Sequence, residues 1–179
     1  IYEKIYRLRS HGIVRNQNEM QNKSHGSWYY EQIDLGFNFR LNDFQCALGT
    51  NQIAKISKFI SYRRKVFKNY QKLLNNLKDI NLPKHNSSYQ SAHHLFIITL
   101  KKPNFIKKEN LIKFMYKNKV LLQYHYIPIY KFKIFHGKFI NKNSETYYKS
   151  AISLPIYYGL TYKQQVYIVK KIKKFFKKN

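Results

Sequence analysis

The stretch from Asn42 towards Leu77 limits the possible folds most. Phe44, Leu48, Ile53, Ile56, Phe59, Ile60 and Phe67 recur there at roughly helical spacing, which gives a helix one apolar face. Asn42 can accept a hydrogen bond from the free N–H groups of a first turn. Gln45, three positions on, can reach back, completing a capping box. The spacing predicts a helix that starts at Asn42, runs towards Leu77 with a break near Ser57, and is stopped by Leu82-Pro83. Cys46, beside Ala47, is expected on its buried face as a small inert residue.

Such a helix must pack on something, and the residues after it supply a second unit. His94–Leu100 reads as a short strand rich in β-formers. Asn110–Asn118, with Leu111, Ile112, Phe114 and Met115, reads as an amphipathic helix, and Val120–Tyr126 as a second strand. Strand, helix, strand indicates a mixed α/β fold. An irregular aromatic segment fills Ile127–Leu154, with short helix around Glu145–Ser150. A last helix opens at Thr161, again with Gln three residues on, and is expected to bury Val166, Val169, Ile172 and Phe176. At the other end, residues 1–13 read as the end of a helix running into Arg9-Ser10-His11-Gly12, with Gly12 as its C-cap. Asn16–Ser27 is polar and reads as an exposed loop.

The formal charge of +26 suggests a nucleic-acid or anionic-membrane partner. Its source argues otherwise. Lysine supplies 28 of the 34 basic residues, alongside abundant Tyr, Phe, Ile and Asn. These types share AT-rich codons, so base composition accounts for much of the charge. No apolar run approaches the ~20 residues of a membrane span, and there is no signal-peptide layout. The first residue is not Met, as expected of a chain that begins mid-protein. The adjacent His93 and His94 make a poor metal pair, because neighbouring strand residues point to opposite faces. No array of Cys or His with metal-ligand spacing is present, so no metal is expected.

The polar motifs carry the chemistry. In Gly36-x-Asn38-x-Arg40 an Asn amide offers a neutral donor just before a helix start, where an anion is favoured; a plain turn asparagine has the same spacing. Arg40 can hold a carboxylate or phosphate through paired hydrogen bonds, or it can pair with Asp34 or Asp43. In Gln123-Tyr124-His125-Tyr126-Ile127-Pro128-Ile129-Tyr130, alternation puts Tyr124 and Tyr126 on one face and Gln123 and His125 on the other. Aromatic faces with polar tips suit a sugar or a base.

Arg9-x-His11-Gly12, Trp28-Tyr29-Tyr30-Glu31, the Asn38 motif, Gln45-x-Ala47-x-Gly49, His94-Leu95-Phe96, His125-Tyr126-x-Pro128 and Ser153-Leu154-Pro155 occur in this order. In order and spacing the chain resembles the DegT/DnrJ/EryC1 sugar aminotransferases. The likeness is greatest to the branch that aminates UDP-linked 4-keto-6-deoxy-N-acetylhexosamines in pseudaminic acid biosynthesis. Cys46 stands where that family has alanine. The resemblance implies the C-terminal portion of a fold-type I pyridoxal phosphate (PLP) transferase. Residues 1–55 would be the end of the large domain, with a loop crossing to the other subunit; residues 56–179 would be the linking helix and small α/β domain. It implies PLP as cofactor, glutamate and a UDP-sugar as substrates, and a cytoplasmic homodimer with shared sites; no specific nucleic acid and no membrane is expected as a partner, although a chain this basic would still attract polyanions weakly. Asn38 would hold the PLP phosphate of the other subunit; Arg40, His125, Tyr126 and Tyr130 would bind substrate. The resemblance implies that the Schiff-base lysine lies upstream of Ile1; nearly all the lysines here stand in polar runs or on helix faces and none ends an apolar strand with small neighbours, so this chain alone is expected to be inactive. Two other readings are a basic nucleic-acid-binding module and a non-catalytic remnant that pairs with an intact aminotransferase.

Overall fold

The computed structural model describes residues 1–84, 88, 90–135 and 140–178; the part of the irregular aromatic segment at 136–139 lies outside them. The chain divides into two compact units, Ile1–Ala54 and Lys55–Asn179.

In the first unit, helix α1 (Tyr2–Leu8) ends at Arg9. The chain then turns through two left-handed residues, His11 (φ 65°) and Gly12 (φ 71°). Gly12 donates its N–H back to the Arg7 carbonyl at 3.0 Å, so it closes the helix from beyond the Arg9 cap. Strands β1 (Ile13–Val14) and β2 (Glu31–Gln32) pair antiparallel, Ile13 with Gln32 and Val14 with Glu31. A separate, isolated bridge joins Ser10 and Asn38. His11 donates to the Phe37 carbonyl at 2.8 Å, Phe37 to Leu8 at 2.7 Å and Phe39 to Arg9 at 2.9 Å. Two glycines permit this crossing. A Cβ on Gly12 would collide with the Asp34 carbonyl oxygen, and one on Gly36 with the backbone of His11 and Gly12. An ion pair, Arg7 Nε to Asp34 at 2.7 Å, ties the same two segments. The polar loop of residues 16–27 contains one short 3₁₀ turn, Gln17–Glu19.

Helix α2 spans Asp43–Leu74 without interruption. The capping box is formed in both directions: Gln45 N–H to Asn42 Oδ1 at 2.9 Å, and Asn42 N–H to Gln45 Oε1 at 3.0 Å. The break expected near Ser57 does not occur, since serine has neither the missing N–H of proline nor the backbone freedom of glycine. Cys46 is exposed, not buried, as are Phe44, Leu48 and Ile53. Helical spacing identifies an apolar face but not what covers it.

The second unit is built on a three-stranded antiparallel sheet of order β3-β4-β5, from Ile80–Asn81, Phe96–Leu100 and Ala151–Leu154. Phe96, Ile98 and Leu100 alternate inward on β4. They meet Val66, Phe67, Tyr70 and Leu74 of α2, Leu111 and Met115 of α3 (Phe105–Lys117), and α5 (Tyr162–Lys178). Helix α3 begins five residues earlier than the apolar pattern suggests, because Asn104 caps it through the Lys107 N–H. Helix α4 (Lys142–Ser150) lies where a short helix is expected, capped by Asn141. On α5 the Thr161–Gln164 box forms in both directions. The buried stripe is Gln165, Ile168, Val169, Ile172, Phe175 and Phe176, with Val166 outside it. Gln165 takes the inner place because both ends of its amide are satisfied, Nε2 by the Val66 carbonyl at 2.9 Å and Oε1 by Asn69 at 3.0 Å. A buried amide is tolerated when fully bonded.

The expected strand Val120–Tyr126 reduces to one bridge, Gln123 with Ser153. Those two residues exchange both backbone hydrogen bonds, at 3.2 and 2.6 Å. Val120 and Leu122 point inward as a strand requires, but the next inward residue is His125. The alternation slips by one residue after Gln123, so the ladder cannot continue.

Candidate functional site

Each unit carries one group of the expected site residues. In the first unit the crossing of residues 8–14 and 31–39 brings His11, Asn38 and Arg40 together at the surface. Arg40 donates from Nε to Asn38 Oδ1 at 2.9 Å, and its Nη2 stands 3.1 Å from His11 Nε2. Neither Asp34 nor Asp43 takes Arg40; Asp34 is held by Arg7 instead. With Oδ1 facing the guanidinium, the Asn38 amide presents its NH₂ outward. Among the described residues no hydrogen bond consumes that NH₂ or Arg40 Nη1. The cluster is therefore an array of unspent donors with one fixed positive charge, which suits an anion.

In the second unit the His125 segment splits two ways. Tyr126 and Tyr130 line an open pocket of about 730 Å³ with Pro128, Asn141, Ser144 and Tyr147. The Tyr130 hydroxyl donates to Glu145 at 2.9 Å, and Glu145 is paired with Lys131 at 2.8 Å. Desolvation, and then the bond to Glu145, raise the Tyr130 hydroxyl above its ordinary range. The Lys131 hydrogen bond holds the Glu145 carboxyl below its own. The rim therefore offers aromatic faces beside a fixed, charged network.

His125 turns away from that pocket. It is 7% exposed, and its Nε2 lies 2.9 Å from Ser153 Oγ, while Nδ1 is buried with no hydrogen-bond partner among the described residues. The expectation that His125 and Gln123 share a face fails, because Gln123 stays exposed. Ser153 lines a second pocket of about 280 Å³ with Arg63, His94, Gln123 and Pro155. Arg63 donates to the His94 carbonyl at 3.0 Å there. The sequence offers no periodic sign of Arg63, which is brought to the pocket by the length of α2.

Most lysines are expected in polar surroundings, and Lys108 is an exception. Lys108 is 5% exposed, and burial lowers its pKa. Its Nζ donates to the Tyr148 carbonyl in the last turn of α4 at 2.6 Å, where the helix dipole favours a cation. It is engaged structurally. Among the described residues no group of three or more His, Cys, Asp or Glu side chains could hold a metal ion, and no helix is long and apolar enough to cross a membrane.

The comparison that decides the family is the match of residues 1–173 to the DegT/DnrJ/EryC1/StrS aminotransferase model. The chain belongs to this aminotransferase family. It is 28% identical over 171 residues to a UDP-4-amino-4,6-dideoxy-N-acetyl-beta-L-altrosamine transaminase of Campylobacter jejuni, covering 94% of this chain and 43% of that protein. An uncharacterized protein of Methanocaldococcus jannaschii is 30% identical, covering all of this chain and 48% of that one. The structure superposes on Helicobacter pylori PseC, an aminotransferase involved in pseudaminic acid biosynthesis, with a TM-score of 0.83 at 26% identity; the match covers 99% of this chain and 46% of that one. This family member thus spans less than half the length of these relatives, and its mixed helix-and-sheet fold is that of their C-terminal portion.

Proposed function

We propose that the chain is the C-terminal part of a PLP-dependent nucleotide-sugar aminotransferase. It would move an amino group from glutamate to C4 of a UDP-linked 4-keto-6-deoxy-N-acetylhexosamine, in a cytoplasmic homodimer with shared sites. In this reading residues 1–55 belong to the cofactor-binding domain and residues 56–179 to the linking helix and small domain. The observation that carries it is the outward donor array of Asn38 and Arg40 within a chain matched to the family over residues 1–173.

The residues present fit one end of PLP. Two NH-bearing side chains with free donors match a phosphate or carboxylate. Among the described residues they do not fit the aldehyde end, since Lys108 already bonds the Tyr148 carbonyl and the other described lysines stand at helix faces or in loops. When bound, PLP supplies the electron sink for amino-group transfer. Asn38 donates to the phosphate of the other subunit's cofactor. Arg40 holds the substrate's anionic group. Tyr126 and Tyr130 offer ring faces to the sugar or uracil, with the Tyr130 hydroxyl fixed by Glu145. His125 works from behind, holding the hydroxyl of Ser153, a residue that lines the smaller pocket.

Grafting this chain onto the N-terminal portion of the C. jejuni transaminase tests the reading. The hybrid should aminate the UDP-4-keto sugar with glutamate, and Asn38→Ala should weaken PLP retention at least about tenfold, the loss of one charge-assisted hydrogen bond. A folded, dimeric hybrid that retains PLP equally well with Asn38→Ala would refute the role of Asn38. One that binds PLP but transfers no amino group to any nucleotide sugar would refute the reaction. With one equivalent of PLP, borohydride treatment of the chain alone should spread the label over surface lysines, with no single lysine modified stoichiometrically.

A further inference from the structure

The Arg9-x-His11-Gly12 motif has no part in the chemistry above, yet its histidine meets the arginine of the donor array. Arg40 Nη2 and His11 Nε2 are 3.1 Å apart. A guanidinium has only donors, so the contact is a hydrogen bond only if Nε2 carries a lone pair. Such a bond requires the imidazole tautomer that carries its proton on Nδ1. Arg40 then has two acceptors at fixed places, His11 Nε2 and Asn38 Oδ1. The second contact decides which way the Asn38 amide points.

The backbone makes His11 a rigid post. Its N–H is spent on the Phe37 carbonyl at 2.8 Å, and its carbonyl accepts Gln32 Nε2 at 2.9 Å. It holds a left-handed φ of 65°, a conformation unfavourable for a non-glycine residue. Gly12 and Gly36 let the two segments touch, which sets His11 alongside Arg40. A side chain held on strained backbone and aimed at an arginine is an arrangement that acts through that arginine.

We propose that His11 is a positioning residue: as an acceptor at Nε2 it locks Arg40, and through Arg40 it turns the Asn38 NH₂ outward for an anion such as a phosphate ester. This rests on the reading of Asn38 and Arg40 as ligand donors. A merely structural histidine would hold the crossing together but would not set the orientation of the amide.

The test uses the full chain, labelled with ¹⁵N, and inorganic phosphate as probe. At mildly alkaline pH the long-range imidazole spectrum should show His11 Nε2 as an unprotonated nitrogen and Nδ1 as its protonated partner. The opposite tautomer overturns the proposal with no variant needed. In His11→Ala the Arg40 Nε–H should exchange with water at least about tenfold faster, corresponding to loss of about one hydrogen bond's worth of protection. The Asn38 side-chain amide signals should converge, and phosphate should bind at least about threefold more weakly. His11→Gln, whose carbonyl oxygen can accept the guanidinium, should restore these readouts in part. Unchanged Arg40 and Asn38 signals in a folded His11→Ala protein overturn the proposal. Asn38→Ala separates the two levels. If it leaves phosphate binding intact, the ligand reading fails, whereas the tautomer and Arg40 exchange still report on His11.

Discussion

Residues 55–179 and residues 1–54 reach order by different means. The larger unit buries a continuous apolar cluster of sheet and helices, with Tyr70, Phe96, Ile98, Leu111 and Ile152 inaccessible to water. Among the described residues of the smaller unit, Val14 is the one apolar side chain in the buried class, while Phe37, Phe39, Leu41 and Phe44 are exposed. What holds the smaller unit is backbone touching backbone at two glycines, a short ladder and an Arg7–Asp34 ion pair. The difference teaches where each unit is vulnerable. One should fail when volume is removed, the other when a Cβ is added.

The sharpest contrast is therefore between two Phe→Ala changes. Phe96→Ala should cost about 3–5 kcal/mol in chemical denaturation, the price of a core cavity. Phe39→Ala, 70% exposed, should fall within about 0.5 kcal/mol of the parent. An equal cost at Phe39 would break the comparison. Gly12→Ala comes next. With a positive φ and a collision against Asp34, it should lower the local opening free energy of the crossing by about 1–3 kcal/mol. Hydrogen exchange at the Phe37 and Phe39 amides should accelerate, while β4 amides stay protected. Smaller still are the helix starts: Asn42→Ala and Thr161→Ala should each cost about 1 kcal/mol, read as fraying of α2 or α5 alone.

The smallest effect is a pH response confined to residues 20–31. The Glu31 carboxylate accepts the Gln21 N–H, the Tyr29 hydroxyl and both Asn22 donors. Chiefly through the Gln21 bond, its pKa falls from 4.5 to about 2. A carboxyl whose folded pKa is depressed stabilises the fold above its unfolded pKa and loses that contribution as pH drops through the folded value. The Gln21 and Asn22 amide shifts should thus hold steady above about pH 4.5 and move as pH approaches 2, with β4 amides unaffected. A midpoint at the ordinary glutamate value would show that the loop does not hold Glu31.

Local signals in the sequence carried far. Both capping boxes, the α3 and α5 faces, the β4 strand and the ordered motifs are legible, because each depends on neighbours within a turn or two. What escaped depends on distant partners. Strand β3 is two residues long and exists because Ile80 and Asn81 meet Leu100 and Thr99. Val120–Tyr126 alternates like a strand until Gln123, yet its register slips and only Ser153 receives it. Gln165 displaced Val166 from the buried stripe because Asn69 and the Val66 carbonyl wait for its amide. Asn38 and Arg40 could be named from their motif, but their partners could not. Arg40 reaches back 29 residues to His11, past the nearer acids that charge alone would favour. His125 looked like a pocket residue by its aromatic neighbours, and a one-residue phase slip turned it inward.

The central claim is that Asn38, whose amide is oriented by Arg40, receives the phosphate of PLP. It is tested most directly by titrating PLP into the chain with ¹⁵N-labelled side-chain amides, guanidinium groups and lysine amines. The account predicts a saturable shift of the Asn38 Nδ2 and Arg40 Nε signals, reversed by excess inorganic phosphate and absent in Asn38→Ala. Shifts confined to the lysine-rich α5, with Asn38 and Arg40 unmoved, would contradict it and leave general polyanion attraction as the property of this surface.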